Sequence, residues 1–237
     1  MSGKVQPSKE EIEQELAKFK QTPTADLQES VYVHDVYNSI AQHFSQTRYK
    51  PWPMVASFLG SLTDYSIGVD VGCGNGKYLT VNPKLWIVGS DYSTGLLDQA
   101  AKLHQKELND LVVADGMLLP HETGRFDFAV SIAVIHHFST NERRVAAIKE
   151  ILRVLKKGGQ ALVYCWALEQ EKSRRGYKEG MEQDVLVPWV AKDGETRMRY
   201  YHLYKRGELE EDCKAAGGII SKSGYEKDNW WVVVERV

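Results

Sequence analysis

The residues most suited to chemistry follow a short apolar, β-branched run, Ile67–Val71, in which Asp70 is the one acid. A turn with three alternating glycines comes directly after this run: Gly72, Cys73, Gly74, Asn75 and Gly76. Alternating glycines let the backbone adopt positive φ and approach a ligand closely, and a following helix would present its free N–H groups there. The spacing is G-x-G-x-G rather than the dinucleotide pattern G-x-G-x-x-G, and the Gly-Lys-Ser/Thr ending of a phosphate-binding loop is missing. The turn alone is also compatible with a plain connection between a strand and a helix.

Two further acids follow apolar runs that are typical of buried strands. Asp91 follows Leu85–Gly89, and Asp115 follows Leu111–Ala114. Because the carboxyl ends of parallel strands meet at one edge of a sheet, these two acids and Asp70 should lie close together. An acid at position 91 can accept hydrogen bonds from ribose hydroxyls, and one at position 115 can accept from an adenine amino group.

These acids and the glycine turn predict a site for S-adenosylmethionine, whose charged end is an amino acid rather than a pyrophosphate. Met117 should pack on the adenine ring, and Ser131 belongs to a fourth strand, Phe126–Ile132, that ends at the same edge. The predicted cofactor-binding residues are Asp70, Gly72, Cys73, Gly74, Asn75, Gly76, Asp91, Tyr92, Asp115, Gly116, Met117 and Ser131.

Cationic and aromatic residues occur in two segments that could cover this edge. The loop Thr47–Pro53 is stiffened by two prolines, and such loops can hold an anionic ligand that stacks. The polar segment 169–206 is long, and loops of this length are usually functional or mobile. The candidates for holding a substrate, with His137 as a hydrogen-bond donor, are Arg48, Tyr49, His137, Trp166 and Arg199. Each of them could equally serve ordinary packing or lie in solvent.

Composition excludes several classes of protein. The 237 residues are 43% hydrophobic, which is enough for one substantial core. The formal net charge of −2 provides no overall positive field for nucleic acid, so any basic surface must be local. Three widely spaced cysteines fit neither a disulfide framework nor a zinc site, and we expect no bound metal. The N-terminus lacks an apolar targeting segment, so a cytoplasmic protein that could also enter the nucleus is expected.

The predicted elements alternate as in a doubly wound α/β sheet. Helices are expected at residues 7–20, 31–47, 54–62, 94–103, 141–157 and 208–216, the first with a capping box and the fifth closed by a glycine pair. A C-terminal hairpin, 219–225 with 230–237, favours a seven-stranded, mostly parallel sheet with one antiparallel strand and helices on both faces. We predict one domain, residues 1–237, with an N-terminal helical segment 8–62 and a substrate-side insertion 169–206.

The sequence resembles class I S-adenosylmethionine-dependent methyltransferases, which have a Rossmann-like fold, at Asp70–Gly76, Asp91 and Asp115–Pro120. It is more specifically similar to the eukaryotic tRNA wobble-uridine carboxymethyl methyltransferases, from about residue 31 onward. The segments that carry this similarity are Val36–Phe44, Thr47–Pro53, Ser131–His137 and Arg199–His202. The resemblance implies methyl esterification of 5-carboxymethyluridine in the tRNA anticodon arm, and a heterodimer with a small zinc-binding activator protein.

Methyl transfer to an ionised carboxylate needs alignment and desolvation but no strong base. In agreement with this, Ser131–Val134 stands where many amino-group methyltransferases have Asp/Asn-Pro-Pro-Tyr. Two other functions stay open at this point: transfer to another RNA or to a small carboxylic acid, and binding of the cofactor by a non-catalytic scaffold. In the strand order of methyltransferases, residues 111–114 form a free sheet edge without Lys, Pro or Gly, where the activator could add a strand unless a terminal segment of this chain covers it.

Overall fold

The computed structural model describes residues 6–47, 50–104, 110–170, 173, 175–191 and 194–237. The helices are α1 (Lys9–Gln21), α2 (Ala25–Glu29), α3 (Asp35–Thr47), α4 (Pro53–Ser61), α5 (Thr94–Leu103), α6 (Asn141–Val154) and α7 (Glu208–Ala215). A π-helical turn, Ser30–His34, joins α2 to α3, and a 3-10 turn covers Ile135–His137. The strands are β1 (Ile67–Val71), β2 (Trp86–Asp91), β3 (Leu111–Val113), β4 (Phe126–Ile132), β5 (Leu155–Trp166), β6 (Asp184–Val190), β7 (Thr196–His202), β8 (Gly218–Glu226) and β9 (Asn229–Arg236).

Seven strands form the central sheet in the order β3-β2-β1-β4-β5-β9-β8. The first five positions are parallel to one another, and β9 is antiparallel to both of its neighbours. This arrangement confirms the predicted mostly parallel sheet closed by a C-terminal hairpin. The strand β3 is one edge of the sheet, as the sequence predicted.

Strand alternation divides the core into two layers. On one face, Val69 of β1 packs in a buried cluster with Ile148 of α6, and α7 contributes Leu209. On the other face, Phe128 of β4 packs with Phe58 of α4, in a cluster that also includes residues of α5. Full burial of side chains of this size stabilises the fold by roughly 1.5–3 kcal/mol each. The two layers fix the sheet edge at which β1, β2, β4 and β5 all end.

The helix predicted at 141–157 is wrong at its C-terminus, because α6 ends at Val154 and β5 begins at Leu155. Leu155 pairs with Phe126, and the regular ladder resumes farther along β5, so the glycine pair lies in an irregular stretch of strand. The carbonyl oxygen of Arg153 in the last helical turn accepts hydrogen bonds from the Gly124 amide at 3.0 Å and from the side chain of Arg236 at 2.7 Å. Pairing with β4 thus overrides the local helix-ending signal of the glycines.

The polar insertion contains a hairpin, β6 with β7, which the sequence analysis treated as a long loop. Its buried side chains Leu186 and Tyr200 join Phe19 of α1 and the π-helical turn in a separate apolar cluster. The rings of Phe19 and Tyr200 are stacked, with centroids 4.5 Å apart. The hairpin therefore packs on the N-terminal helices.

A buried carboxylate attaches the N-terminal helices to the sheet domain. Glu29, at the end of α2, is 2% exposed and accepts hydrogen bonds from Nε and Nη2 of Arg143, each at 2.8 Å. The same carboxylate accepts from the Ser139 amide at 2.8 Å.

The capping box predicted for the first helix is present, since Ser8 and Glu11 bond each other's backbone amides.

No described helix has the length and apolarity to cross a membrane. No group of His, Cys, Asp and Glu in the described part of the chain is arranged to hold a metal ion.

Candidate cofactor and substrate site

The glycine turn after β1 has the backbone that its sequence predicts. Gly72, Gly74 and Gly76 have φ values of 77°, 57° and 78°. A Cβ atom at Gly72 would lie 2.3 Å from Cγ2 of Val134, whereas one at Gly74 would have no neighbour nearer than Phe44, at 4.0 Å. The first glycine is therefore needed for close packing, and the second borders open space that a ligand can fill.

Asp91 at the end of β2 links this turn to the next helix. Its Oδ2 accepts from the Gly74 amide at 2.8 Å, and its Oδ1 accepts from the Ser93 amide at 2.8 Å. Burial raises the pKa of Asp91, although these backbone donors favour the charged form. Each carboxylate oxygen keeps a second lone-pair direction, which suits the paired hydroxyls of a ribose.

Asp70 is the strongest sign that a cationic group belongs at this site. The residue is 1% exposed, and neither of its carboxylate oxygens has a hydrogen-bond partner among the described residues. Burial, and secondly the nearby charge of Asp91, raises the pKa of Asp70 to about 7. A buried carboxylate without donors is costly. Asp70 does not itself line the cavity, so the ammonium group of an amino-acid ligand would relieve this cost through its charge, as the charge of Lys77 already does in part. Asp70, the cradle at Gly74 and Asp91 together fit S-adenosylmethionine.

The raised pKa makes a pH-dependent prediction. In the cofactor-free protein, folding favours the protonated form of Asp70. The free energy of unfolding should therefore fall as pH rises from about 4 towards 7. An ammonium partner reverses this preference, and cofactor affinity should rise several-fold between about pH 6 and about pH 7.5, with proton release. Calorimetry in two buffers of different ionisation enthalpy measures both quantities. The same pH dependence in Asp70→Asn would contradict the assignment.

A cavity of about 520 Å³ extends from the glycine turn across the sheet edge. The predicted cofactor residues that line it are Gly72, Cys73, Gly74, Asn75, Asp91, Tyr92, Asp115 and Gly116. The other four do not line it: Asp70 and Ser131 are buried, Gly76 faces His104, and Met117 packs against the core beneath β4. Of the predicted substrate residues, His137, Trp166 and Arg199 line the cavity, while Arg48 and Tyr49 lie outside the described residues.

One end of the cavity contains a chain of hydrogen bonds that ends on Arg199. Nη1 of Arg199 donates to the Tyr201 hydroxyl at 2.8 Å, and the hydroxyls of Tyr201 and Tyr37 are 3.1 Å apart. The Tyr37 hydroxyl is 3.0 Å from Nε2 of His137. Nδ1 of His137 is 2.8 Å from the carbonyl oxygen of Tyr200, which can only accept.

These contacts fix which group donates and which accepts in each hydrogen bond between Arg199 and His137. Nδ1 of His137 must carry a hydrogen, and burial lowers the pKa of His137 to about 3, so the ring is neutral and Nε2 accepts from Tyr37. Tyr201 then donates to Tyr37, and its oxygen accepts from Arg199. The expectation that His137 donates a hydrogen bond to a substrate is therefore wrong, because both ring nitrogens are used within the protein.

Arg199 is a buried cation at this end of the cavity. The residue is 4% exposed, and its Nε has no hydrogen-bond partner among the described residues. Among the described residues, no carboxylate lies within ion-pair distance of its guanidinium, while the ring of Trp189 lies 4.9 Å from its Cζ. A buried guanidinium without an acid is a site for an anionic ligand.

Trp166, at the end of β5, forms an aromatic wall beside Arg199. Its ring stacks on Tyr201 with centroids 4.3 Å apart, and Cζ of Arg175 lies 4.2 Å from the ring centroid. A planar base in the cavity could use this wall if Arg175 changes position. The sequence analysis did not name Tyr37 and Tyr201 as site residues, although both lie in segments that carried the family resemblance. The high density of aromatic residues around Tyr37 was the available signal.

Comparisons with known proteins identify the family of this chain. Residues 69–163 match the methyltransferase domain family. The chain is 46% identical to tRNA (carboxymethyluridine(34)-5-O)-methyltransferase of Saccharomyces cerevisiae, with 88% of this chain and 96% of that protein covered. It is 50% identical to the Schizosaccharomyces pombe protein of the same name, with 88% and 97% covered. The chain belongs to the tRNA (carboxymethyluridine(34)-5-O)-methyltransferase family.

Members of this carboxymethyluridine methyltransferase family share their fold with more distant enzymes. A solved S-adenosylmethionine-dependent methyltransferase of Clostridium acetobutylicum has a TM-score of 0.65 at 16% identity, covering 85% of this chain and 99% of that one. A chain from a complex between a methyltransferase and the Trm112 methyltransferase activator of Haloferax volcanii has a TM-score of 0.60 at 14% identity, covering 84% and 96%. S-adenosylmethionine is the cofactor of this chain, in agreement with the prediction from the glycine turn and the acids.

Proposed function

We infer that this chain transfers the methyl group of S-adenosylmethionine to the carboxylate of 5-carboxymethyluridine at the wobble position of tRNA. The observation that supports this substrate most directly is Arg199, a buried guanidinium at the far end of the cofactor cavity without an acid among the described residues. A carboxylate substrate would supply the missing negative charge in a planar, bidentate geometry.

The reaction needs little from the protein beyond placement. A carboxylate oxygen attacks the methyl carbon of the sulfonium, the new O–CH₃ bond forms as the S–CH₃ bond breaks, and the electron pair of that bond stays on sulfur. No proton moves, because the carboxylate is already ionised. Arg199 and the hydroxyls bonded to it would hold the carboxylate in line, and the cavity would exclude water.

The test of this function is mass spectrometry of wobble nucleosides after incubation with cofactor. Transfer RNA from cells that accumulate 5-carboxymethyluridine should gain 5-methoxycarbonylmethyluridine at position 34. Methylation of a small carboxylic acid or of another RNA, with unchanged wobble nucleosides, would contradict the proposal. Cofactor binding without any product would mean that the chain is a non-catalytic scaffold.

The edge strand β3 supports a second part of the proposal, a heterodimer with a small zinc-binding activator protein. Within the described residues, β3 pairs with β2 alone, and Val113 on this edge is 58% exposed. Leu118, which follows β3 after a tight turn, is 78% exposed. Open backbone groups beside exposed apolar side chains favour an added strand from a partner. The Haloferax volcanii methyltransferase of similar fold was solved with its activator.

A charge on the β3 edge should weaken this assembly. We expect Val113→Lys to reduce affinity for the activator at least about tenfold, because an unpaired ammonium would be buried in the interface. The matched control is Ile219→Lys on β8, the opposite edge, where Ile219 is 57% exposed. Affinity is measured by calorimetry with purified activator. Equal loss in both variants, or no loss in Val113→Lys, would move the interface away from β3.

A further inference from the structure

Two buried side-chain amides at the substrate end of the cavity have oxygens without partners. Gln170 is 1% exposed and Asn229 is 4% exposed, and both residues line the cavity. Neither Gln170 Oε1 nor Asn229 Oδ1 has a hydrogen-bond donor within the described part of the chain. A buried acceptor left unsatisfied costs roughly 1–3 kcal/mol, so a ligand donor is the natural partner for such oxygens.

The orientation of each amide is fixed by its nitrogen. Nε2 of Gln170 donates to the carbonyl oxygen of Ala167 at 2.8 Å. Nδ2 of Asn229 donates to the carbonyl oxygens of Lys227 at 2.6 Å and Glu226 at 3.3 Å. Rotating either amide by half a turn would place an oxygen against a carbonyl oxygen, which is repulsive. Both residues therefore present an acceptor, not a donor, to a ligand.

The two amides are anchored on one backbone junction beside Trp166. The Ala167 amide donates to the carbonyl oxygen of Asp228 at 2.9 Å, and Asn229 faces Trp166 in the β5–β9 ladder. Gln170, Asn229 and Trp166 therefore belong to one wall of the cavity. Tyr201 stacks on Trp166 and holds Arg199, so the acceptors and the guanidinium lie on elements that meet at the Trp166 ring.

We propose that Gln170 and Asn229 form an acceptor-only subsite for the N3–H group of the uracil base. This inference rests on the proposed function, and it assigns the residues that select the base rather than its carboxylate. Uracil carries one strong donor on its pairing edge, N3–H, whereas cytosine has a bare, accepting nitrogen at the same position. Cytosine carries its pairing-edge donor on the amino group at C4 instead, so acceptors placed at N3 would be buried against another acceptor and would disfavour that base.

The uracil ring places its two recognised groups on neighbouring sides. Its C5 substituent, which ends in the carboxylate, and its N3–H are separated by the C4 carbonyl. Recognition of one group by Arg199 and of the other by Gln170 and Asn229 would hold the base beside Trp166 and fix its rotation. The carboxylate would then approach the cofactor in one orientation.

The test uses the full chain and anticodon stem-loop RNAs with either 5-carboxymethyluridine or 5-carboxymethylcytidine at the wobble position. Gln170→Met and Asn229→Leu remove the acceptor, and the matched control Gln183→Met removes the same amide from a residue that does not line the cavity. Both binding, with S-adenosylhomocysteine present, and methyl transfer are measured for each RNA.

We expect Gln170→Met and Asn229→Leu to lower the preference for the uridine RNA over the cytidine RNA by about tenfold each, through weaker binding and slower methylation of the uridine RNA. Gln183→Met should keep the full preference. Equal loss on both RNAs would indicate a structural role, and an unchanged preference would assign base selection elsewhere; either result overturns the proposal. If wild-type protein methylates neither RNA, the proposed function fails, while the binding preference still decides the base subsite.

Discussion

Replacing Arg199 by alanine is expected to lower kcat/KM for tRNA by roughly 10²–10³-fold while cofactor affinity stays within about twofold. The guanidinium is buried, and its hydrogen bonds within the cavity go to tyrosine hydroxyls rather than to the glycine turn or to Asp91. Its loss should remove the group that pairs with the substrate carboxylate and leave the cofactor half intact. Steady-state kinetics with tRNA and calorimetry with S-adenosylmethionine measure the two effects.

Two further variants separate charge from structure in this prediction. Arg199→Lys keeps a positive charge but not the planar fork, so we expect an intermediate loss. Arg197→Ala changes the same residue type in the same strand, where Arg197 pairs with Glu195 near the surface, and should alter kcat/KM by less than about threefold. If cofactor affinity collapses in Arg199→Ala while tRNA binding survives, Arg199 has been assigned to the wrong half of the cavity.

Replacing Asp91 by alanine should weaken S-adenosylmethionine binding by about 2–3 kcal/mol, or roughly 30- to 150-fold. The carboxylate holds the Gly74 and Ser93 amides and has lone pairs left for the ribose hydroxyls. The substitution removes both the ligand contact and the support of the turn. Calorimetry measures the affinity directly.

Asp98→Ala is the matched control for this prediction, because Asp98 lies exposed on α5, the helix that follows Asp91. Its cofactor affinity should equal that of the wild-type protein. Unchanged affinity in Asp91→Ala would show that the ribose is held elsewhere.

The cofactor half of the site could be predicted because its determinants are local in sequence. A buried strand, three glycines and an acid at the end of the next strand fix the backbone near Gly74 with few long-range contacts. The predictions for Asp91 and the glycine turn therefore agree with the observed geometry of the cavity.

The substrate half depends on contacts between distant segments, which no local pattern encodes. Tyr37 meets His137 and Tyr201 across 100 and 164 residues of sequence. The hairpin that carries Arg199 was hidden in a polar segment, because its apolar residues pack on the N-terminal helices rather than on the main sheet. The donor role expected for His137 failed for the same reason, since the Tyr200 carbonyl that fixes its proton comes from that hairpin.

The isolated charge of Arg199 also bears on product release. Methylation converts the anionic carboxylate into a neutral ester, so the proposed reaction removes the charge that the guanidinium recognises. The product should then bind more weakly than the substrate at the same subsite, since an ion pair with a carboxylate becomes a hydrogen bond from the guanidinium to a neutral ester. Because no described acid competes for Arg199, the next carboxylate can take the vacated position without displacing an internal ion pair. Turnover thus follows from the absence of a built-in counterion among the described residues.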